Sequence, residues 1–242
     1  KGLGELISST SYVDNVLELS IPKNGLAGII RFTSQLRKFR FDLAIDLLTR
    51  SDWISAFILA LARASCKAGY DVGLRSFFLN FRVRPFNETK YEVENVLDIV
   101  RTISGEPVDT SPLLPVETRA QEFIGERFKG WGISDGGLLI GIHPGAAKLY
   151  MQKKAWPPEK FSQLADILVE KYKAGVFLTG SPEEVDLCQS IVQRMKRKAV
   201  IVAGKINITQ LVALVSNLCL FISNHSGPLQ IAVALDVPTV VI

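Results

Sequence analysis

Cysteine and histidine are scarce in this chain of 242 residues, and each shortage excludes something. Three cysteines, Cys66, Cys188 and Cys219, are odd in number and widely spaced, so neither a disulfide framework nor a cysteine metal site is indicated. They read as buried or half-buried thiols of a reducing compartment. His143 and His225 are the only histidines, which excludes a histidine-rich metal site. Long apolar runs are missing too. The longest, Ile54 to Ala62, is flanked by Asp52 and Arg63 and is too short to cross a bilayer. No signal peptide is visible, and a soluble protein is expected. Several phosphate and nucleophile motifs are also missing: no G-x-G-x-x-G follows a strand, no G-x-x-x-x-G-K-[ST] occurs, and Ser226 lies outside a G-x-S-x-G elbow.

What remains is the composition of an ordinary globular α/β protein, with 48% hydrophobic and 21% charged residues. From residue 135 onward there are 11 Lys/Arg against 8 Asp/Glu, a net of +3; the first 134 residues carry 17 against 16, a net of +1. Such an excess suits an anionic small ligand and falls short of a nucleic-acid footprint. The densest basic run, Arg194-Met195-Lys196-Arg197-Lys198, sits where a helix should end, and cations are favoured there. Both ends read as cut. The opening Gly-Leu-Gly-Glu-Leu looks like the tail of an element, and Val237 to Ile242 stops inside what should be a buried strand.

Strands and helices alternate along the chain. Strands are expected at Val13–Leu19, Phe41–Leu48, Lys67–Tyr70, Leu138–His143, Gly175–Thr179, Ala199–Val202, Leu218–Ser223 and Pro238–Ile242. Helices are expected at Gly28–Phe39, Asp52–Ser65, Tyr91–Ser104, Glu117–Gly130, Pro157–Lys173, Pro182–Met195, Asn207–Asn217 and Gly227–Leu235. The rest of 67–90 reads as irregular, and proline-rich 107–115 as a surface crossing. From 138 onward the β-α alternation with short connections demands a parallel, doubly wound sheet with right-handed crossovers. The first half follows the same logic less cleanly. Two Rossmann-like domains are expected, over 1–107 and 136–242, hinged through a linker and crossing helix at 108–135.

Ligands in such sheets bind beyond the C-terminal ends of the strands, which selects the loops 143–156, 179–184, 203–208 and 223–228. In the first, Gly145 and Ala146 would let a ligand approach the backbone, and Lys154 would supply a point charge just before a proline-started helix. Phosphate is the anion this arrangement suits, though an ordinary loop with a surface lysine has the same spacing. In Thr179-Gly180-Ser181-Pro182-Glu183-Glu184, Ser181 fits an N-cap and Glu184 the third position of a capping box; the carboxylate is also placed to bind ribose hydroxyls. In Asn224-His225-Ser226-Gly227-Pro228, the N–H groups of Ser226 and Gly227 would face an anion, and His225 would donate to a phosphate or face solvent. Asp46, ending the clear strand of the first half, is expected to hydrogen-bond a neighbouring loop.

The series His143-Pro144-Gly145-Ala146-Ala147, Lys154-Ala155-Trp156-Pro157, Phe177 to Glu184, Gly204-Lys205 and Asn224-His225-Ser226-Gly227-Pro228 resembles glycosyltransferase family 9, the ADP-heptose:lipopolysaccharide heptosyltransferases. The resemblance is densest over 138–242 and weaker over 10–105, where Phe41 to Leu47 and the helix around Glu92 and Asn95 carry it. It implies a GT-B fold, with an acceptor-side N-terminal domain, a nucleotide-sugar-binding C-terminal domain and the site between them. It implies inverting, metal-independent transfer of a heptose from ADP-heptose to the lipopolysaccharide inner core, with no cofactor. Donor-binding residues would be Gly145, Ala146, Ala147, Lys154, Glu184, His225, Ser226 and Gly227. The family's catalytic base, an Asp in a glycine-containing loop, would lie before Lys1, so this stretch alone is expected to be inactive. The family usually has Asp where His225 stands and His where Gln230 stands, departures that would retune donor choice or weaken the enzyme. A nucleotide-sugar-binding homologue without transfer, or another GT-B enzyme such as a sugar-nucleotide epimerase, are the alternatives. An acceptor anchored in lipid would place the protein at the cytoplasmic face of the inner membrane, with Arg75, Arg82 and Arg84 facing the acidic core or simply solvent.

Overall fold

The computed structural model describes residues 2–19, 21–48, 53–83, 89–90, 92–107, 114–132, 136–146 and 155–242. Two compact units divide the chain, one built from Lys1–Val16 with Pro112–Ile242, the other from Leu17–Ser111. The first sixteen residues therefore pack with the C-terminal unit, as helix α1 (Gly2–Ser8) against α8 (Ile208–Val215). Helix α5 (Thr118–Gly130), expected as a crossing helix outside the domains, belongs to the same unit and also packs on α8. The strand expected at Val13–Leu19 is not formed. Its Val13, Val16, Leu17 and Leu19 suit a strand, but the segment is where the chain leaves one unit for the other, with no ladder to join.

The C-terminal unit carries the strands β4 (Leu139–His143), β5 (Gly175–Leu178), β6 (Val200–Ile201), β7 (Leu220–Ser223) and β8 (Thr239–Val241), all parallel, in the order β6-β5-β4-β7-β8. This is the doubly wound pattern, and the order reverses between β4 and β7. Each face of the sheet is covered, because successive side chains point to opposite sides. Ile140, Ile142, Val176, Leu178 and Ile222 join Phe161, Ala165, Cys188 and Ile191 of α6 (Pro158–Tyr172) and α7 (Val185–Arg194). On the other face Phe177 and Phe221 join Ile124 of α5, Val212 to Val215 of α8 and Ile231 of α9 (Gly227–Ala234). β8 pairs with β7, and in this chain Val240 and Val241 are exposed. Cys219 is likewise exposed, Cys66 half-buried and Cys188 buried, all as free thiols.

The basic run after α7 behaves as a helix end. The Asp166 carboxylate accepts the backbone N–H groups of Lys196 and Arg197, while Arg197 and Arg194 pair with Glu170 and Glu159 on α6.

The other unit holds a parallel three-stranded sheet, β1 (Leu43–Asp46), β2 (Cys66–Tyr70) and β3 (Phe81–Val83). Around it lie α2 (Ile21–Leu36), α3 (Trp53–Leu61) and α4 (Glu92–Ser104). β3, and the 3-10 helix Gly73–Phe78 before it, occupy what reads in sequence as irregular chain. The 3-10 helix packs on α3 and is held by a buried ion pair: Arg75 Nη2 lies 2.6 Å from Asp46 Oδ2, and Arg75 is fully buried. Asp46 also accepts Leu48 N at 3.1 Å and Ser55 Oγ at 2.8 Å, while Arg75 donates to Leu48 O. The expected loop bond of Asp46 is therefore present. Arg75, expected to face an acidic ligand or solvent, faces neither, because a carboxylate at the end of β1 draws it inward. Arg82 is exposed, and Arg84 lies outside the described residues.

Candidate functional site

The reversal between β4 and β7 brings the 143–146 and 223–228 loops together, and Asn224 joins them. Its side chain is buried. Nδ2 donates to Pro144 O at 2.7 Å, and Oδ1 accepts from Trp156 N at 3.3 Å. A proline carbonyl can only accept and a backbone N–H can only donate, so the amide has one consistent orientation. Asn224 thus links Pro144 to Trp156, twelve residues apart in sequence. Trp156 packs beside it, edge-on to Phe161 at 5.1 Å, where a core-facing tryptophan is expected.

The Ser181–Glu184 pair forms the expected capping box, with Glu184 Oε2 accepting from Ser181 N at 2.7 Å. The other carboxylate oxygen points elsewhere. A methyl group on Gly145 would lie 2.0 Å from Glu184 Oε1 and 2.9 Å from His143 Nε2. Gly145 is buried, and its missing side chain makes room for this carboxylate and imidazole rather than leaving open backbone for a ligand. Glu184 therefore caps a helix start with one oxygen and presents the other between two loops.

His143 ends β4 with its ring buried and its Nδ1 3.1 Å from Thr179 Oγ1. Burial pushes the imidazole pKa down, opposed by the Glu184 carboxylate nearby. The ring is therefore neutral at neutral pH and offers a hydrogen bond rather than a charge. Cys188, bonded through Sγ to Thr179 O at 3.7 Å, is pushed up to about 12 by burial and by Glu184, and stays a thiol.

These groups wall a cavity of about 390 Å³ at the strand ends. His143, Thr179 and Glu184 form its polar side; Val202, Ile206, Ile208 and Leu211 form an apolar side; Pro228 of α9 closes it. A volume of this order with mainly apolar walls and a few convergent polar groups is that of a small-molecule site. Asn207, which also lines it, starts α8 through a capping box with Gln210.

Of the expected residues, Glu184 lines the cavity, and Gly145 packs against Glu184 and His143 of its polar side. His225, Ser226 and Gly227 begin α9, whose Pro228 reaches the cavity; His225 is exposed. Ser226 turns its hydroxyl to Ser223 Oγ at 2.8 Å and does not cap α9 with it. Ala147 and Lys154 lie outside the described residues. His143, Thr179 and the apolar wall were not singled out in the sequence reading. A histidine closing a buried strand, followed at once by Pro-Gly, was the available signal for the first. Among the described residues no group of three or more His, Cys, Asp or Glu could hold a metal ion. Among them, too, no helix is long and apolar enough to cross a membrane.

Comparison with known proteins gives this arrangement a family. The family model of glycosyltransferase family 9 (heptosyltransferase) matches residues 29–242. Lipooligosaccharide heptosyltransferase 2 of Haemophilus ducreyi is 29% identical over 209 residues, 82% of this chain and 59% of that protein. Its counterpart in Haemophilus influenzae is 26% identical over 220 residues, covering 87% and 62%. The chain thus spans about 60% of the length of these curated relatives. Among solved structures, a glycosyl transferase family 9 protein of Veillonella parvula superposes with a TM-score of 0.86 at 20% identity, covering 99% of this chain and 68% of that one. The E. coli ADP-heptose LPS heptosyltransferase II gives a TM-score of 0.76 at 22% identity, covering 98% and 72%. These likenesses establish a GT-B type α/β fold. With the family model matched over nearly the whole sequence, the chain belongs to glycosyltransferase family 9, the heptosyltransferase family.

Proposed function

We propose that the protein of which this chain is part transfers a heptose, or a closely related sugar, from ADP-heptose to a hydroxyl of the lipopolysaccharide inner core with inversion at the anomeric carbon. The observation that carries this is the cavity at the ends of β4, β5 and β6 in a chain of this family, with its apolar wall and the Glu184 carboxylate at its edge. The apolar wall suits an adenine ring, and Glu184 Oε1 suits ribose hydroxyls, which a carboxylate binds in other doubly wound domains. His143, neutral and held by Thr179, adds a hydrogen-bonding group on the same side.

The diphosphate would extend from there toward the start of α9. Backbone N–H groups of Ser226 and Gly227 and the ammonium of Lys154 would meet it. As the sugar–phosphate bond breaks, negative charge grows on the leaving ADP. Fixed donors aimed at that charge lower the barrier without a bound metal or other cofactor. The acceptor hydroxyl would attack the anomeric carbon from the opposite face, giving its proton to a general base, so that the new glycosidic bond forms with inversion as the bond to ADP breaks. His225 at the start of α9 gives this site a titratable group where the family usually has Asp, and donor choice is the property it would change. Such a protein would work at the cytoplasmic face of the inner membrane, where its acceptor is anchored.

The full-length protein, given ADP-heptose and an inner-core acceptor, is expected to release ADP in step with acceptor. Tight ADP binding without release would leave a nucleotide-sugar-binding homologue. Release of UDP from a UDP-sugar in preference would replace the donor assignment.

A further inference from the structure

Glu184 and His143 bring two hydrogen-bond acceptors to the same cavity wall. Glu184 Oε2 is engaged, accepting from Ser181 N at 2.7 Å. Oε1 is the free oxygen, and no group among the described residues donates to it. The imidazole is set by the far side of its ring. Thr179 has one hydroxyl proton, and it points to Ile142 O at 3.4 Å. The Thr179 oxygen must therefore accept from His143 Nδ1, 3.1 Å away, so Nδ1 carries the ring hydrogen. Burial keeps the ring neutral against the nearby Glu184 carboxylate, and Nε2 is left as a bare lone pair. Although His143 is only 4% exposed, Nε2 has no partner among the described residues.

Gly145 lets the two acceptors converge. A methyl group there would lie 2.0 Å from Glu184 Oε1 and 2.9 Å from His143 Nε2, so the two atoms are no further apart than those distances added. No hydrogen bond or ion pair joins them among the described residues. Two lone pairs cannot satisfy each other, and a buried acceptor without a donor is costly. Such a pair calls for a ligand with two donors on adjacent atoms. A vicinal diol has that form, and ribose carries one. In doubly wound domains a carboxylate commonly takes the ribose hydroxyls. Here the capping box engages one carboxylate oxygen, which leaves the second hydroxyl for the imidazole.

We propose, resting on the nucleotide assignment above, that His143 is a specificity-determining residue: its Nε2 accepts a hydrogen bond from one ribose hydroxyl while Glu184 Oε1 accepts from the other. The pair recognises an intact diol and selects a ribonucleoside diphosphate over its deoxy forms. Thr179 is a positioning residue, because its hydroxyl decides which ring nitrogen is bare.

The test is calorimetric titration of the full-length protein with ADP, 2′-deoxy-ADP and 3′-deoxy-ADP. The parent protein should bind each deoxy form roughly tenfold more weakly than ADP, since one buried acceptor is then left without a donor. His143→Asn keeps a donor toward Thr179 and lacks an acceptor in place of Nε2. It should bind ADP roughly tenfold more weakly and lose the preference against one deoxy form, keeping the other. Glu184→Ala should show the opposite pattern. His143→Gln, whose amide oxygen reaches the Nε2 position, should restore most of both preferences. Thr179→Val leaves the ring in place and should reduce the His143-dependent preference by roughly threefold; it decides the matter by the same comparison if His143→Asn does not fold. A loss shared equally by all three nucleotides would make His143 structural and overturn the assignment. Both preferences intact in His143→Asn, or a parent protein that binds the deoxy forms as tightly as ADP, would overturn it while leaving ADP binding in place. A parent protein that binds no ADP would overturn the nucleotide assignment and this one with it.

Discussion

Asn224 can be tested without knowing any ligand. Replacing it by alanine removes a donor from Pro144 O and an acceptor from Trp156 N. A neutral hydrogen bond nets about 1 kcal/mol, and a buried group left without its partner costs about 1–3 kcal/mol. Pro144 is buried and Trp156 half-buried, and the 3.3 Å bond is the weaker of the two. The expected loss is therefore about 2–4 kcal/mol, a large share of the ~5–15 kcal/mol available to a folded protein. For a chain of this size that lowers Tm by roughly 5–12 °C, readable by scanning calorimetry. Asn224→Asp sharpens the test. It keeps an acceptor for Trp156 N but sets a carboxylate against the Pro144 carbonyl, and is expected to be at least as destabilising as alanine. A Tm unchanged in Asn224→Ala, or an aspartate variant as stable as the parent, would refute the reasoning. With the loop ends released, ADP affinity should fall alongside stability in both variants.

Other expectations follow from single contacts. Gly145→Ala places a methyl 2.0 Å from Glu184 Oε1, so the carboxylate must leave its position; ADP affinity should drop by roughly tenfold, and the loss should be smaller when Glu184 is itself Ala, where only the contact with His143 Nε2 at 2.9 Å remains. Asp46→Ala removes the carboxylate that neutralises the buried guanidinium of Arg75 and should cost about 3–5 kcal/mol by denaturant unfolding, whereas the paired change to Ala and Met at Asp46 and Arg75 should recover most of it. His143 has a lowered folded-state pKa, so the unfolded chain takes up its proton first as pH falls below the ordinary value of 6.5. Stability should decline from there toward the folded pKa, and His143→Gln should flatten that part of the profile in urea titrations; an unchanged slope would show that the ring is not held neutral by burial.

The C-terminal unit was legible in sequence because its strands are short apolar runs bounded by Gly, Pro and Asn, and its helices open on Pro157, Pro182 and Asn207. The capping box at Ser181 and Glu184 could be read for the same reason, since it needs only two residues three apart. Val13–Leu19 misled because its valines and leucines show that a segment could be a strand, while a strand also needs a neighbour, and that information is not local. Arg75 misled in the opposite direction. A lone arginine among phenylalanines reads as surface, and only the parallel register that puts Asp46 beside β2 brings a carboxylate to bury it. His143 and the apolar wall of the cavity escaped because they converge from four separate loops. For Glu184 the spacing identified the capping role alone: one oxygen serves the backbone and the other faces Gly145.

In the proposed function these strand ends hold an adenine nucleoside diphosphate. Calorimetric titration of the full-length protein with ADP and UDP, repeated for Lys154→Ala, tests it most directly. Selective ADP binding, reduced by about tenfold or more without Lys154, is the result the account predicts, since a charge-assisted bond to phosphate contributes about 1.5–3 kcal/mol. Equal affinity for the two nucleotides, or ADP binding indifferent to Lys154, would contradict it.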